Sequence, residues 1–280
     1  MKNAVLFILG LLLAAGVYFY LTGKEEAREP TAVTLPQATE PEHTTAAPPR
    51  YPVTPEPEPP VQPVETTTAE TPPPPPLPAL DASDPMLAGA IGALLDAERF
   101  GGMLMFESFV RHVVVNIDNL AAAKLPIKFR VYTPVPGAFQ VRRDPADSEN
   151  VTLDPANYQR YTRYVELLES LDPAGVVRIY THYYPLFQEA YVALGYPDRY
   201  FNDRVVEVID VLLATPEVAE PIQLSQPAVL YTYSDPGLEA LSSGQKMLLR
   251  AGPDNGRRLR ELLREYRRRI TTSVSNTQVP

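Results

Sequence analysis

Residues 180–210 read YTHYYPLFQEAYVALGYPDRYFNDRVVEVID. Tyr180, Tyr184, Phe187, Tyr191 and Leu194 recur at the spacing of one helix face. Pro185 interrupts the hydrogen-bond ladder and is expected to kink or divide that helix near Tyr184. Gly195-Tyr196-Pro197-Asp198 is turn chemistry. A second helix follows, capped by Asp198 or Asn202, with Val205, Val208, Ile209 and Leu212 on its apolar side. Two amphipathic helices joined by a short turn predict a mainly α domain.

Outward from this stretch the same signals recur. Ser83-Asp84-Pro85 starts a helix to about Ala97, and another covers Met103 to Leu120. Leu153-Asp154-Pro155 and Leu171-Asp172-Pro173 repeat one device, an Asp cap followed by Pro in the first turn. Phe139–Arg142 and Val151–Leu153, around Asp144-Pro145-Ala146-Asp147-Ser148, predict a small hairpin. Ile222–Leu224 and Val229–Tyr231 are further short extended runs. Ser242-Ser243-Gly244-Gln245 fits a capping box, and Gly252-Pro253 separates that helix from the last one. The fold class expected is a compact helical domain with one or two small β elements.

Four regions follow. Residues 1–23 are expected to form a transmembrane anchor, 24–80 a disordered Pro/Glu-rich linker, 81–270 the globular helical domain and 271–280 a disordered tail. Ala4 to Thr22 carries no charge and no proline. It spans roughly 28 Å as a helix, about one hydrocarbon thickness. A cleaved signal peptide is the rival reading, but the apolar run continues past Ala14-Ala15-Gly16 to Leu21. Seventeen of the 32 prolines lie between Pro30 and Pro78, which excludes a packed core there. A short N-terminal tail predicts a cytoplasmic N-terminus and a periplasmic domain at the bacterial inner membrane.

The chain has no cysteine, which excludes disulfides and thiolate metal sites. Its net charge of −9 argues against a general nucleic-acid binder. No phosphate loop, nucleophile elbow or His-Glu-x-x-His occurs, and no metal or cofactor is expected. His112 stands among apolar residues without a second ligand at metal spacing, and His182 stands among aromatics.

Two functions compete. In the first, the domain is a non-enzymatic binding or scaffold module. Tyr183, Tyr196 and Tyr200 fall off the main aromatic stripe. Beside Tyr184, Gln188, Glu189, Asn202, Asp203 and Arg204 they suit a sugar or peptide groove. The partners expected are the membrane through residues 4–22 and an envelope protein, a peptide or a cell-wall polymer. In the second, Glu189 and Asp203 are the paired carboxylates of a cell-wall hydrolase. Asp203, Glu207 and Asp210 also read simply as a solvated face or as partners of Arg199 and Arg204. The last helix carries seven arginines beside an apolar stripe, and Arg264, Arg267 and Arg268 are candidates for docking something anionic.

Leu153-Asp154-Pro155-Ala156-Asn157-Tyr158, Tyr184-Pro185-Leu186-Phe187-Gln188-Glu189-Ala190-Tyr191, Gly195-Tyr196-Pro197, Tyr200-Phe201-Asn202-Asp203-Arg204 and Ser243-Gly244-Gln245-Lys246 carry a resemblance. Together they resemble an uncharacterised bacterial family of membrane-anchored proteins with a Pro-rich linker and a C-terminal domain of unknown function. The resemblance covers about Leu80 to Ile270. It implies this architecture and no activity.

Overall fold

The computed structural model describes residues 48–53, 77–147 and 149–272. The expected anchor at 4–22, the rest of the linker and the tail from 273 lie outside the described residues. Among the described residues no helix is long and apolar enough to cross a membrane.

The described chain is mainly helical, with one small antiparallel sheet. The helices are α1 (Asp84–Gly92), α2 (Ala97–Phe100), α3 (Phe109–Leu120), α4 (Ala156–Glu169), α5 (Pro173–Ala193), α6 (Phe201–Leu213), α7 (Pro236–Glu239), α8 (Ser243–Ala251) and α9 (Pro253–Thr272). The Asp-Pro device starts α5, where the Asp172 carboxylate accepts the N–H groups of Ala174 and Gly175. The capping box at Ser242 and Gln245 closes both ways. Helix α3 packs against α5 and α6, and α9 packs against α6, α4 and α5. Phe109, Val113, Val114, Ile117, Phe187, Phe201 and Val205 are fully buried between them.

Two early helices are shorter than their periodicity predicts. α1 stops at Gly92, because Asp96 caps a separate turn by accepting the N–H groups of Glu98 and Arg99 at 3.1 Å each. α3 begins at Phe109 rather than Met103. Met103 to Met105 instead pairs with Val131 to Thr133, through Met105 N–H to Val131 O and Thr133 N–H to Met103 O. The open donors of α3 are satisfied from another helix. The Asp84 carboxylate accepts Ser108 N–H at 2.7 Å and Phe109 N–H at 2.9 Å.

Helix α5 runs undivided through Pro185, where a kink or a division was expected. The proline is exposed, so the ladder loses one bond on the solvent side. The aromatic face is also wider than the five-residue stripe. Tyr183 is three residues from Tyr180 and is buried with it.

The sheet joins β1 (Val141–Arg143), β2 (Val151–Leu153), β3 (Gln223–Ser225) and β4 (Thr232–Tyr233) in sequential antiparallel order. Val151 pairs with Leu224, and Leu224 with Tyr233. This register puts Val151, Leu153, Leu224 and Tyr233 on one covered face with Ile222 and Leu249, a second small core. It also places the last strand after the expected Val229–Tyr231 run. Val229 sits in the connecting turn, 80% exposed. Asn157 at the start of α4 ties sheet to helices. Its side chain accepts Gln140 N–H at 2.9 Å and donates to Gln140 O at 2.7 Å.

Gly252, between α8 and α9, has φ 89° and ψ 166°. A β-carbon there would lie 2.4–2.7 Å from three carbons of the Tyr158 ring.

His112 on α3 is half-buried against Phe129, with ring centroids 5.4 Å apart. Burial lowers its pKa from the ordinary 6.5, against opposing pulls from Glu107, the Arg130 carbonyl and Asp84. The unfolded chain therefore binds this proton more readily than the folded one. The stability due to neutral His112 is complete above about pH 6.5 and is lost as the pH falls through the lowered value. In denaturation at about pH 7.5 and about pH 5.5, wild type should lose more stability than His112→Phe. Parallel losses would show that the ring is not linked to folding.

Candidate functional site

The aromatic stretch folds into a cluster at the N-terminal end of α6. Phe201, the first residue of that helix, stacks on Phe187 at 5.9 Å with the rings 6° from parallel. Neither expected cap serves α6. Its first N–H, from Phe201, is accepted by Gln188 Oε1 at 2.8 Å, while Gln188 Nε2 donates to Arg199 O at 2.8 Å. Tyr184 donates to the same Oε1 at 3.0 Å, and burial pushes its hydroxyl pKa up to about 12. Gln188 thus fastens the 195–200 turn to α5.

Asn202 and Asp203 sit in the first turn of α6. Asn202 is fully buried, and its Oδ1 accepts from the Tyr180 hydroxyl at 3.0 Å. Burial raises the Tyr180 pKa well above its ordinary value, so the phenol remains a donor. Both remaining polar ends face residues 48–53 of the linker. Asp203 accepts Arg50 N–H at 2.9 Å on one oxygen and Tyr51 N–H at 2.8 Å on the other. Asn202 Nδ2 donates to Tyr51 O at 2.8 Å. The Tyr51 ring packs on the main core, as does Val53, and Arg267 of α9 lies within electrostatic reach of its hydroxyl.

The other candidate residues divide among separate roles. Tyr183 is buried beside His182, with ring centroids 4.7 Å apart. Tyr196 stacks on Tyr191 at 4.6 Å and donates to Asp118 Oδ2 at 3.1 Å. Arg204 donates to the Asp118 carboxylate and to its backbone carbonyl, each at 2.7 Å. Tyr196 and Arg204 therefore brace the turn against α3. Tyr200 is half-buried, and its carbonyl accepts Arg204 N–H. Glu189 is exposed on α5, and no hydrogen bond or ion pair joins it to Asp203 among the described residues.

Most of the α9 arginines have acidic partners. Arg267 holds Asp210 through two bonds, at 2.5 and 3.0 Å. Arg268 and Arg269 share Glu265, and Arg258 pairs with Glu169. Arg264 is exposed and has no ion-pair partner among the described residues. Of the Asp203, Glu207 and Asp210 face, only Asp203 bonds to the segment 48–53 among the described residues, while Glu207 pairs with Arg204 and Asp210 with Arg267.

A family model described as "Protein of unknown function (DUF3014)" matches residues 109–267. The chain belongs to the DUF3014 family. No curated protein and no solved structure matches it. The matched region of the DUF3014 domain contains Asn202, Asp203 and Arg267, whereas the segment they hold lies outside it.

Sequence reading missed Tyr51, Asp118 and the capping role of Asp84. Tyr51 left a signal. It is the one aromatic residue between Lys24 and Leu80, and prolines stand on both sides of it. A large apolar ring in a tract with no core of its own needs somewhere to pack. Asp118 left none, because its partners are 78 and 86 residues away.

Proposed function

We propose that this DUF3014 protein is tethered to the inner membrane through residues 4–22 and that its domain works in the periplasm as a non-enzymatic binding module. The uncharged, apolar run from Ala4 to Thr22 supports the anchor. The observation that carries the binding role is the use of Asp203. Its two carboxylate oxygens each accept a main-chain N–H from the bend at Arg50 and Tyr51, while Asn202 donates to the Tyr51 carbonyl. Recognition through main-chain hydrogen bonds is how peptide-binding domains obtain affinity. Asn202 is itself fixed by the buried Tyr180 hydroxyl, so the donor is oriented before anything arrives.

The reading is tested by a photoactivatable cross-linker at Arg199, which is exposed on the turn before α6. In intact cells the full chain should form discrete adducts with another envelope component. Asp203→Asn places an N–H₂ group where an acceptor is needed and should weaken those adducts roughly tenfold or more. An absence of adducts, or adducts unaffected by the substitution, would defeat the proposal.

A further inference from the structure

We infer that the site's ligand class is a peptide bent at two adjacent residues whose main-chain N–H groups lie between prolines, with an aromatic side chain on the second residue, and that the chain's own 48–53 segment is a resident occupant which such a partner displaces. The inference rests on the binding reading above and specifies its ligand and its regulation.

The pattern of donors comes first. Pro48, Pro49 and Pro52 have no main-chain N–H. From Pro48 to Pro52 the only such donors are Arg50 and Tyr51, and both meet Asp203. The match is one carboxylate with two acceptors to one dipeptide with two donors. A carboxylate reads this pair without reading the side chain of Arg50, which is exposed.

The aromatic position is read separately. Tyr51 packs against the main core, and the Arg267 guanidinium lies within electrostatic reach of its hydroxyl. Arg267 is oriented by its two bonds to Asp210. Asp203 therefore holds the backbone, and Arg267 with the core surface holds the ring. The flanking prolines add preorganisation. Pro52 narrows the backbone choices of Tyr51, and Pro48-Pro49 stiffens the approach to the bend at Arg50 and Tyr51, so less chain entropy is lost on docking.

Attachment then decides who occupies the site. The 23 residues from Thr54 to Pro76 separate the segment from the domain. Because the segment belongs to the same chain, its docking is intramolecular, and ligands attached by short linkers act at roughly millimolar effective concentration. An intrinsic affinity of only about 0.1 mM keeps the site filled. A free ligand of equal strength at lower concentration is excluded. Only a tighter segment, or one held equally close, enters.

The test uses the full chain in detergent and a fluorescent peptide of residues 46–55. Tyr51→Ala vacates the site from the chain's own side, and Arg50→Pro does so by deleting one donor and keeping the ring. Both variants should bind the peptide about tenfold or more tightly than wild type does. Adding Asp203→Asn to either should abolish the gain. A peptide N-methylated at Tyr51 keeps its side chains and loses one donor, so it should bind roughly tenfold or more weakly. Equal binding by wild type and both vacated variants would overturn the resident occupant while leaving the binding module intact. No binding by vacated variants of unchanged circular dichroism, with Arg199 cross-links persisting, would overturn the ligand class alone. Loss of both would sink the two readings together. An N-methylated peptide that binds as well as its parent would overturn main-chain recognition.

Discussion

Gly252→Ala should destabilise the domain by about 4 kcal/mol, from two independent sources. The backbone at φ 89° and ψ 166° lies in a region open essentially to glycine alone, and strain of this kind costs about 1–3 kcal/mol for another residue. The new β-carbon would also meet three carbons of the Tyr158 ring at 2.4–2.7 Å. That ring is not free to swing away, because its hydroxyl donates to Glu220. Overpacking of this sort adds about 1–3 kcal/mol. Urea denaturation followed by circular dichroism measures the sum. Tyr158→Ala in the same chain separates the two parts. The clash disappears in the double variant and the backbone strain remains, so its loss should fall well short of the two single losses added together. Simple additivity would mean that ring and β-carbon never compete. A loss below about 1 kcal/mol for Gly252→Ala alone would mean the α8–α9 joint tolerates a different backbone.

Phe201→Ala should cost about 3–5 kcal/mol. The side chain is fully buried, stacks on Phe187 and touches Tyr191 at 5.5 Å between centroids. Removing it leaves a ring-sized cavity at the first turn of α6. Domains of this size are stable by about 5–15 kcal/mol, so the loss is a large fraction of the total. The same turn carries Asn202 and Asp203, so retention of the linker segment should fall with it. Phe201→Leu refills most of the volume and should cost below about 1.5 kcal/mol. Equal losses for Ala and Leu would show that ring stacking, not volume, anchors the turn.

Much of this was legible in the sequence because it is local. A cap and the helix it starts lie within three residues, so Asp172-Pro173 and Ser242 with Gln245 announced α5 and α8. The period-2 run Val151–Leu153 gave β2 its limits. What failed to show was every contact made across the chain. Asp84 reads as an ordinary helix start, yet it also caps α3, 24 and 25 residues on. The helical period of Met103 to Leu120 continued through residues that Val131–Thr133 pulls into extended pairing. Tertiary hydrogen bonds there outweigh a weak local preference.

The candidate site was legible in the same uneven way. The aromatic stretch pointed to Asn202 and Asp203. It could not reveal that they meet Arg50 and Tyr51, more than 150 residues earlier. The Ser243-Gly244-Gln245-Lys246 motif proves to be architectural. Ser243 Oγ donates to Asn119 O, Gln245 Nε2 to Val211 O, and buried Lys246 to Glu239. Gly244 lets α8 approach Leu120 and Leu212, where a β-carbon would sit 3.0 Å from Leu120 O and 2.5 Å from a Leu212 methyl.

The seating of residues 48–53 on α6 also fixes where a pulling force enters the molecule. Tension applied to the chain ahead of Pro48 reaches Asp203 and Asn202 before it reaches Leu80. The three bonds there and α6 are loaded first, and α1 bears no load until those bonds part. Between that segment and Leu77 lie the 23 residues from Thr54 to Pro76, whose contour is at most roughly 80 Å. Only when that length is taken up does the load pass to the 3-10 turn at Leu80–Ala82 and to α1. The docked segment is in this sense a mechanical fuse, one that yields and resets without unfolding what it protects.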